Sequence, residues 1–205
     1  VTYRAVLFDI GGAIDLEFAW EMAVDGAIAS ACSLEGIRVD QPMVEAASEQ
    51  AVLSFAADTY GAMIGILCGG EPRTIGRVTQ RFEAMTRGLD VFQLRPGIEQ
   101  LLHRLVGHGV VLSAADYPRD RLERAGIAPL FADDAHIPAV ETIFVGDRLD
   151  QDVAPAKAQG MTTIQFRSGR WRRQKPRSAA ETPDVTVTDV RELEEAIFAL
   201  LADSR

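Results

Sequence analysis

Two hydrophobic rhythms divide the chain. Ala5-Val6-Leu7-Phe8 is a continuous apolar run of strand length that ends on Asp9, so residues 3–9 read as a short buried strand. From Leu16 to about Met85 the spacing becomes helical. Leu16, Trp20, Ala23, Val24, Ala27, Ile28 and Ala31 share one stripe, and Gly36 suits its end. Val44, Ala47, Ala51 and Phe55 make a second stripe. Pro72 fits a first helical turn, and Ile75, Val78, Phe82 and Met85 follow as a third. No strand pattern interrupts this stretch. It reads as an inserted helical bundle whose apolar positions are packing.

Alternation of strands and helices then begins. Arg95-Pro96-Gly97 opens a helix with Ile98, Leu101, Leu102 and Leu105 on one face, and Gly109–Ala115 is the next strand. Asp116-Tyr117-Pro118 turns into a short helix that ends near Gly126. Thr142–Val145 is a strand, Asp150–Gln159 a helix stopped by Gly160, and Met161–Phe166 and Val185–Val187 are further strands. Asp189 and Glu192 have the spacing of a capping box for a last helix carrying Leu193, Ala196, Ile197, Leu200 and Leu201. This order implies an α/β fold, a Rossmann-like doubly wound parallel sheet. The expected division is a core of residues 1–14 and 87–205 with an all-helical insert of residues 15–86. One connection is short. If residues near 131–134 form a parallel strand, about seven residues remain before Thr142, whereas a parallel crossover needs about a dozen or more. Either that strand is absent, or a helix and its loop have been lost there.

Composition narrows the class. The 205 residues are 47% hydrophobic and 25% charged, as in ordinary globular proteins. No apolar run is long enough to span a membrane, and the first apolar run leads straight into Asp9, without a signal-peptide pattern. Cys32 and Cys68 make no disulfide framework, so reduced core thiols and a cytoplasmic setting are expected. A net charge of −9 argues against broad nucleic-acid binding. Against that trend, residues 167–177 carry six basic side chains. This is either a solvated loop or a patch that draws in an anionic substrate.

The chemistry lies at strand tips. Asp9 is followed by Gly11 and Gly12, whose missing side chains let backbone approach whatever the carboxylate touches. Thr142-Ile-Phe-Val-Gly-Asp147 repeats the design, and Asp152 lies five residues further on. In parallel α/β sheets, ligands gather at the carboxyl ends of strands. Asp9, Asp116 and Asp147 are all placed there. The pattern points to a metal-assisted, anion-handling site. The three histidines have no zinc-ligand spacing, and no P-loop or nucleophile elbow occurs.

Val6-Leu-Phe-Asp-Ile-Gly-Gly-Ala-Ile14 resembles the first motif of the haloacid dehalogenase (HAD) superfamily, usually Phe-Asp-x-Asp-Gly-Thr/Val-Leu. Val145-Gly-Asp-Arg-Leu-Asp-Gln-Asp152 resembles the fourth, with Ala156-Lys-Ala-Gln-Gly-Met161 following in kind. Ala115-Asp-Tyr-Pro118 is similar to a Ser-Asp-Tyr-Pro form of the second. The helical stretch is placed and sized like a C1 cap. The resemblance implies a phosphatase of a small phosphorylated metabolite that works through an aspartyl phosphate. It makes Asp9 the nucleophile. It assigns Mg²⁺ to Asp9, the Gly11 carbonyl, Asp147 and Asp152, and puts Gly12, Ala115, Asp116 and Arg148 beside the substrate.

Three departures stand out. Gly11 occupies the usual acid/base Asp position, and such a catalyst contributes about 10² to 10⁴ in rate. Asp15 lies nearby in sequence, with little basis for promotion to that role. Ala115 replaces the second-motif hydroxyl, and Ser113 would sit about 6–7 Å deeper along the strand. No Lys precedes the fourth motif, and Lys157 follows it. Two alternatives therefore stand beside the phosphatase. One is a catalytically degraded HAD-fold binding or regulatory protein. The other is a metal-independent dehalogenase-type hydrolase, which the retained fourth-motif acids disfavour.

Overall fold

The computed structural model describes residues 2–115, 119–133 and 136–202. The chain divides into two compact units: Val1–Leu16 with Phe92–Arg205, and Glu17–Val91.

The first unit is built on five parallel strands: β1 (Ala5–Asp9), β2 (Val111–Ala115), β3 (Thr142–Gly146), β4 (Thr162–Phe166) and β5 (Val185–Val187). Their spatial order is β2-β1-β3-β4-β5. Successive side chains of a strand point to opposite faces. Val6, Phe8, Leu112, Ile143, Val145, Ile164 and Phe166 therefore share one face, where they form a single buried cluster with Leu101 and Leu105 of α5 (Ile98–Gly107) and Leu193 and Ile197 of α8 (Val190–Ala202). Both helices carry the expected stripe. Ile98, Leu101, Leu102 and Leu105 are wholly buried. Asp189 caps α8 by accepting the Glu192 N–H at 2.8 Å, while Glu192 reaches back one residue beyond the cap, accepting the Thr188 N–H at 2.8 Å, so the expected pairing is shifted by one. The chain leaves β1 for β2 on one side of it and returns to β3 on the other. The switch point thus lies at the carboxyl ends of β1 and β3, where a crevice opens in such sheets.

Two expectations shift. Among the described residues near 131–134 no strand forms. Phe131 makes a single parallel bridge to Leu112, and Ala132 donates to the Leu112 carbonyl at 2.8 Å. The ten residues from Ala132 to Glu141 are too few for a helical crossover and carry only a short 3₁₀ turn, Ala139–Glu141, among those described. The helix expected at 150–159 is also shorter. A π-turn at Leu149–Val153, closed by Val153 N–H to the Arg148 carbonyl at 3.1 Å, precedes α7 (Ala154–Ala158). A short helix, α6 (Arg119–Arg124), follows the second strand.

The second unit contains four helices: α1 (Phe18–Leu34), α2 (Gln41–Leu53), α3 (Thr59–Leu67) and α4 (Pro72–Thr86). The predicted stripes supply its core through Val24, Ile28, Ala31, Val44, Ala47, Ala51 and Val78. Pro72 opens α4, with the Glu71 carboxylate capping Arg73 and Thr74 N–H. Helix α3 lacks a stripe in the sequence because Thr-Tyr-Gly-Ala-Met-Ile-Gly-Ile-Leu is apolar nearly all round. Its Met63 and Ile64 are nonetheless fully buried. Leu16 lies outside α1, and Met85 at the end of its stripe is 40% exposed. No helix among the described residues is long and apolar enough to cross a membrane. Cys32 and Cys68 are both buried free thiols.

Truncating Leu101 to Ala removes a wholly buried side chain from the sheet-facing cluster and should lower the unfolding free energy by about 2–5 kcal/mol. Met85→Ala should change it by less than about 0.5 kcal/mol. Urea unfolding of both variants checks the contrast.

Candidate active site

Parallel register brings the carboxylates together. Phe8 pairs with Val145 and Asp9 with Ala115, so Asp9 ends β1 at the level where β3 runs out into Gly146 and Asp147. Asp9, Asp147 and Asp152 each offer an oxygen within 4.8 Å of the others. Asp147 is 3% exposed, and its backbone carbonyl accepts Gln165 Nε2 at 3.2 Å. Asp152 stands on the π-turn. Its Oδ2 accepts the N–H groups of Asp147 at 3.0 Å and Arg148 at 2.7 Å. Asp152 rather than Asp150 thus fastens the start of this turn. Asp150 pairs instead with Arg148 and Gln174.

Glycines make the approach possible. A Cβ on Gly12 would lie 2.7 Å from Asp147 Oδ2, and one on Gly146 would lie 2.6 Å from the Asp152 Cβ. Gly12 has φ +69°, and Ala13 N–H donates to the Gly11 carbonyl at 2.7 Å. Together these define a γ-turn centred on Gly12, a conformation open to glycine and strained for any residue with a Cβ. The Gly11 carbonyl thus carries one hydrogen bond within its own loop.

Burial pushes the Asp9 carboxyl up to about 7, and the Asp152 charge adds to the rise. The Ile10 and Gly11 N–H groups and the Arg148 charge pull the other way. Burial also raises the Asp152 carboxyl against its two backbone hydrogen bonds. Crowded carboxylates in a partly dry site favour the neutral form until a cation arrives. The donors match Mg²⁺, which takes a few hard carboxylate oxygens and completes its shell with water and phosphate. Close approach of two of the three carboxylates through glycines fits the same ion.

The remaining candidates are scattered. Ala115 lines a pocket of about 450 Å³ with Leu7, Asp9, Phe144, Asp152 and Met161. Ser113 pairs with Leu7 one repeat deeper in the sheet. Asp116 lies outside the described residues. Arg148 is turned to Asp150, at 3.0 Å, and its guanidinium lies over the Trp171 ring, 4.1 Å from the centroid. Asp15 is 5% exposed and accepts Gln93 N–H at 3.1 Å, a structural role. Lys157 binds the Thr182 carbonyl and Asp184. The basic segment partly satisfies itself: Arg167 donates to the Arg172 carbonyl, Arg172 to the Gly169 carbonyl, and Arg177 pairs with Glu181.

Sequence reasoning missed Arg95 and Gln165. Arg95 donates to the Gly12 carbonyl through Nε and Nη2. Gln165 is a polar residue in an otherwise apolar strand, a signal that could have marked it. Arg95 sat in a run read only as a helix start.

Comparison with known proteins agrees with this geometry. A family model described as HAD-hydrolase-like matches residues 120–193. A glyceraldehyde 3-phosphate phosphatase from Methanopyrus kandleri is 31% identical over 127 residues, covering 58% of this chain and 50% of that protein. The chain thus matches about half the length of this relative. Solved structures share the fold. A predicted phosphoglycolate phosphatase from Haemophilus somnus superposes with a TM-score of 0.68 at 15% identity, covering 96% of this chain and 99% of that one. A HAD-hydrolase, YfnB, from Bacillus subtilis bound to magnesium superposes with a TM-score of 0.62 at 15% identity, covering 98% and 99%. Residues 120–193 thus match a HAD-hydrolase-like family, and the chain as a whole shares the fold of these structures.

The Asp9 environment sets a pH dependence. A carboxyl whose folded value lies above its unfolded one, near 4, holds an extra proton in the folded state between the two. Its contribution to metal-free stability is fully present below about 4 and is lost as the pH rises through about 7. A ¹³C-detected titration of metal-free protein should place the Asp9 midpoint near 7. Asp9→Asn should raise the metal-free Tm more at pH 8 than at pH 4.

Proposed function

We propose that the protein is a Mg²⁺-dependent phosphatase acting on a small phosphorylated metabolite. The observation that carries this reading is the convergence of Asp9, Asp147 and Asp152 at the switch point of a HAD-type sheet. The phosphatase name of the partial relative and the magnesium-bound state of one fold neighbour support it. The helical unit is proposed to act as a cap that selects the substrate and excludes water.

Asp9, Asp147 and Asp152 would hold the ion, with the Gly11 carbonyl as a further donor. Bound there, a divalent cation offsets the repulsion between an anionic nucleophile and an anionic substrate. Asp9 is the nucleophile: its carboxylate oxygen bonds to phosphorus as the bond from phosphorus to the leaving oxygen breaks. The leaving oxygen takes its proton from water, because Gly11 offers no acid. A second water then attacks the phosphoryl group on Asp9, frees phosphate and restores the carboxylate. Two displacements replace one harder step. Ala115 donates no hydroxyl to the phosphoryl oxygens, which leaves their binding to the ion and to backbone N–H groups.

A slower enzyme follows from these substitutions. A second reading, a HAD-fold module that binds metal and phosphate without turnover, draws on the same two positions, Gly11 and Ala115. The carboxylate cluster weighs against metal-independent dehalogenation.

Hydrolysis of a generic phosphomonoester with Mg²⁺ should be measurable and should fall by at least about 10³-fold in Asp9→Asn. Equal rates in the two proteins would sink the phosphatase. Gly11 is not among the positive-φ glycines, so a side chain there meets no left-handed backbone strain. Gly11→Asp should therefore raise kcat, by up to about 10².

A further inference from the structure

We infer that Arg95 and Ser168 are positioning residues that lock the nucleophile loop in its metal-binding form, an inference that rests on the phosphatase reading above. The Gly12 carbonyl accepts Arg95 Nε at 2.8 Å and Nη2 at 2.5 Å. Ser168 Oγ lies 3.3 Å from the same carbonyl and accepts Arg95 Nη2 at 2.9 Å. A carbonyl oxygen has two lone pairs, so this one is saturated and its peptide plane is fixed. The guanidinium is itself held, with its carbon 4.7 Å from the centroid of the buried Phe166 ring.

The loop needs such a lock. Glycines at 11 and 12 leave its backbone free to take other conformations, so contacts from outside must hold the turn. Ala13 and Ile14 are wholly buried beneath the turn. Their N–H groups donate to the Gly11 carbonyl at 2.7 Å and the Ile10 carbonyl at 3.1 Å. The same turn brings Gly12 so near the Asp147 carboxylate that a Cβ there would lie 2.7 Å from Oδ2. Arg95 also donates its own backbone N–H to the Ile14 carbonyl at 2.8 Å. It therefore grips the loop at two points. Ser168 follows β4, and β3 lies between β1 and β4, so the Arg95–Ser168 pair ties the loops on either side of the Asp147 strand. Releasing the Gly12 carbonyl lets the turn relax and spreads the oxygens that the ion must reach together. Lys at 95 keeps the charge but not the fork that places two N–H groups on one oxygen.

The test compares Arg95→Met, Arg95→Lys and Ser168→Ala with wild type. The first readout is amide hydrogen exchange at Ala13–Asp15 in metal-free protein, which is independent of any phosphatase activity. The second is Mg²⁺ affinity by calorimetry. A charge-assisted hydrogen bond predicts about tenfold or greater acceleration of exchange in Arg95→Met, with Mg²⁺ affinity about tenfold weaker. Arg95→Lys should recover part of each, and Ser168→Ala should show a smaller change in the same direction. Where phosphatase activity is present, kcat should fall more than KM rises. A folded Arg95→Met protein with wild-type exchange across Ala13–Asp15 overturns the inference. So does a loss of Tm with unchanged exchange and Mg²⁺ affinity, which is what a merely structural role would give. If wild type binds no Mg²⁺, the phosphatase reading fails, and the exchange result alone still decides whether Arg95 locks the loop.

Discussion

Three carboxylates crowded at the mouth of one parallel sheet repel one another, and much of the surrounding structure serves to hold them there. Two unit charges about 4 Å apart interact by roughly 1 kcal/mol in water and several times that near a protein interior. The chain meets this strain locally. Asp152 is fastened by two backbone N–H groups, Asp147 by a buried glutamine on its carbonyl, and the Asp9 loop by an arginine gripping Gly12. Glycines at 12 and 146 supply the space. The residual cost appears in the raised Asp9 and Asp152 carboxyls. The cation proposed between them would turn the same crowding into binding energy.

The sheet order explains why the carboxylates meet. A chain that leaves β1 in one direction and returns on the other side places the β1 and β3 carboxyl ends side by side with a crevice between them. That much was legible in the sequence, because a carboxylate at the end of a buried run is a local signal and alternating elements fix parallel strands. The sheet-facing stripe of α5 and the Asp189 cap of α8 were legible for the same reason. Helix α3 was not: its apolar residues surround the helix, so no periodicity marks the buried side. The π-turn was hidden too, since Asp150 and Asp152 are equally good caps by residue type and only the fold of the turn selects between them. Arg95 was the least legible. It acts through a backbone carbonyl 83 positions away, and nothing in its neighbours records that distance.

The short connection after Phe131 has a consequence for the face of the sheet opposite α5 and α8, which the short α7 partly covers. Ten residues between Phe131 and Thr142 reach the far side of β1 but cannot lay a helix across the strands on the way. Leu7, Ala115 and Phe144, which point to that face, therefore line an open pocket of about 450 Å³ that reaches up to Asp9 and Asp152. The edge strand is reduced to one bridge for the same reason, because a longer pairing would leave still fewer residues for the return. The sequence reading posed this as a choice between a lost strand and a lost helix. The geometry takes both from one cause.

On the proposed reading, the chemistry of this site is unbalanced. The half that would face a metal has its acids and the glycines that let them converge. The half that would handle protons and phosphoryl oxygens has Gly11 and Ala115, whose side chains do neither. Burial does not repair the deficit by recruiting Asp15, since that carboxylate is taken up by the Gln93 N–H and an antiparallel bridge to Leu94. Arg148 does not repair it either, being spent on Asp150 and the face of Trp171. Under the proposed mechanism, catalysis leans on electrostatics and on the placement of Asp9, both of which depend on the Gly12 turn staying put. The fixed geometry of Ile10–Ile14 therefore bears more of the function here than in a site with its own acid.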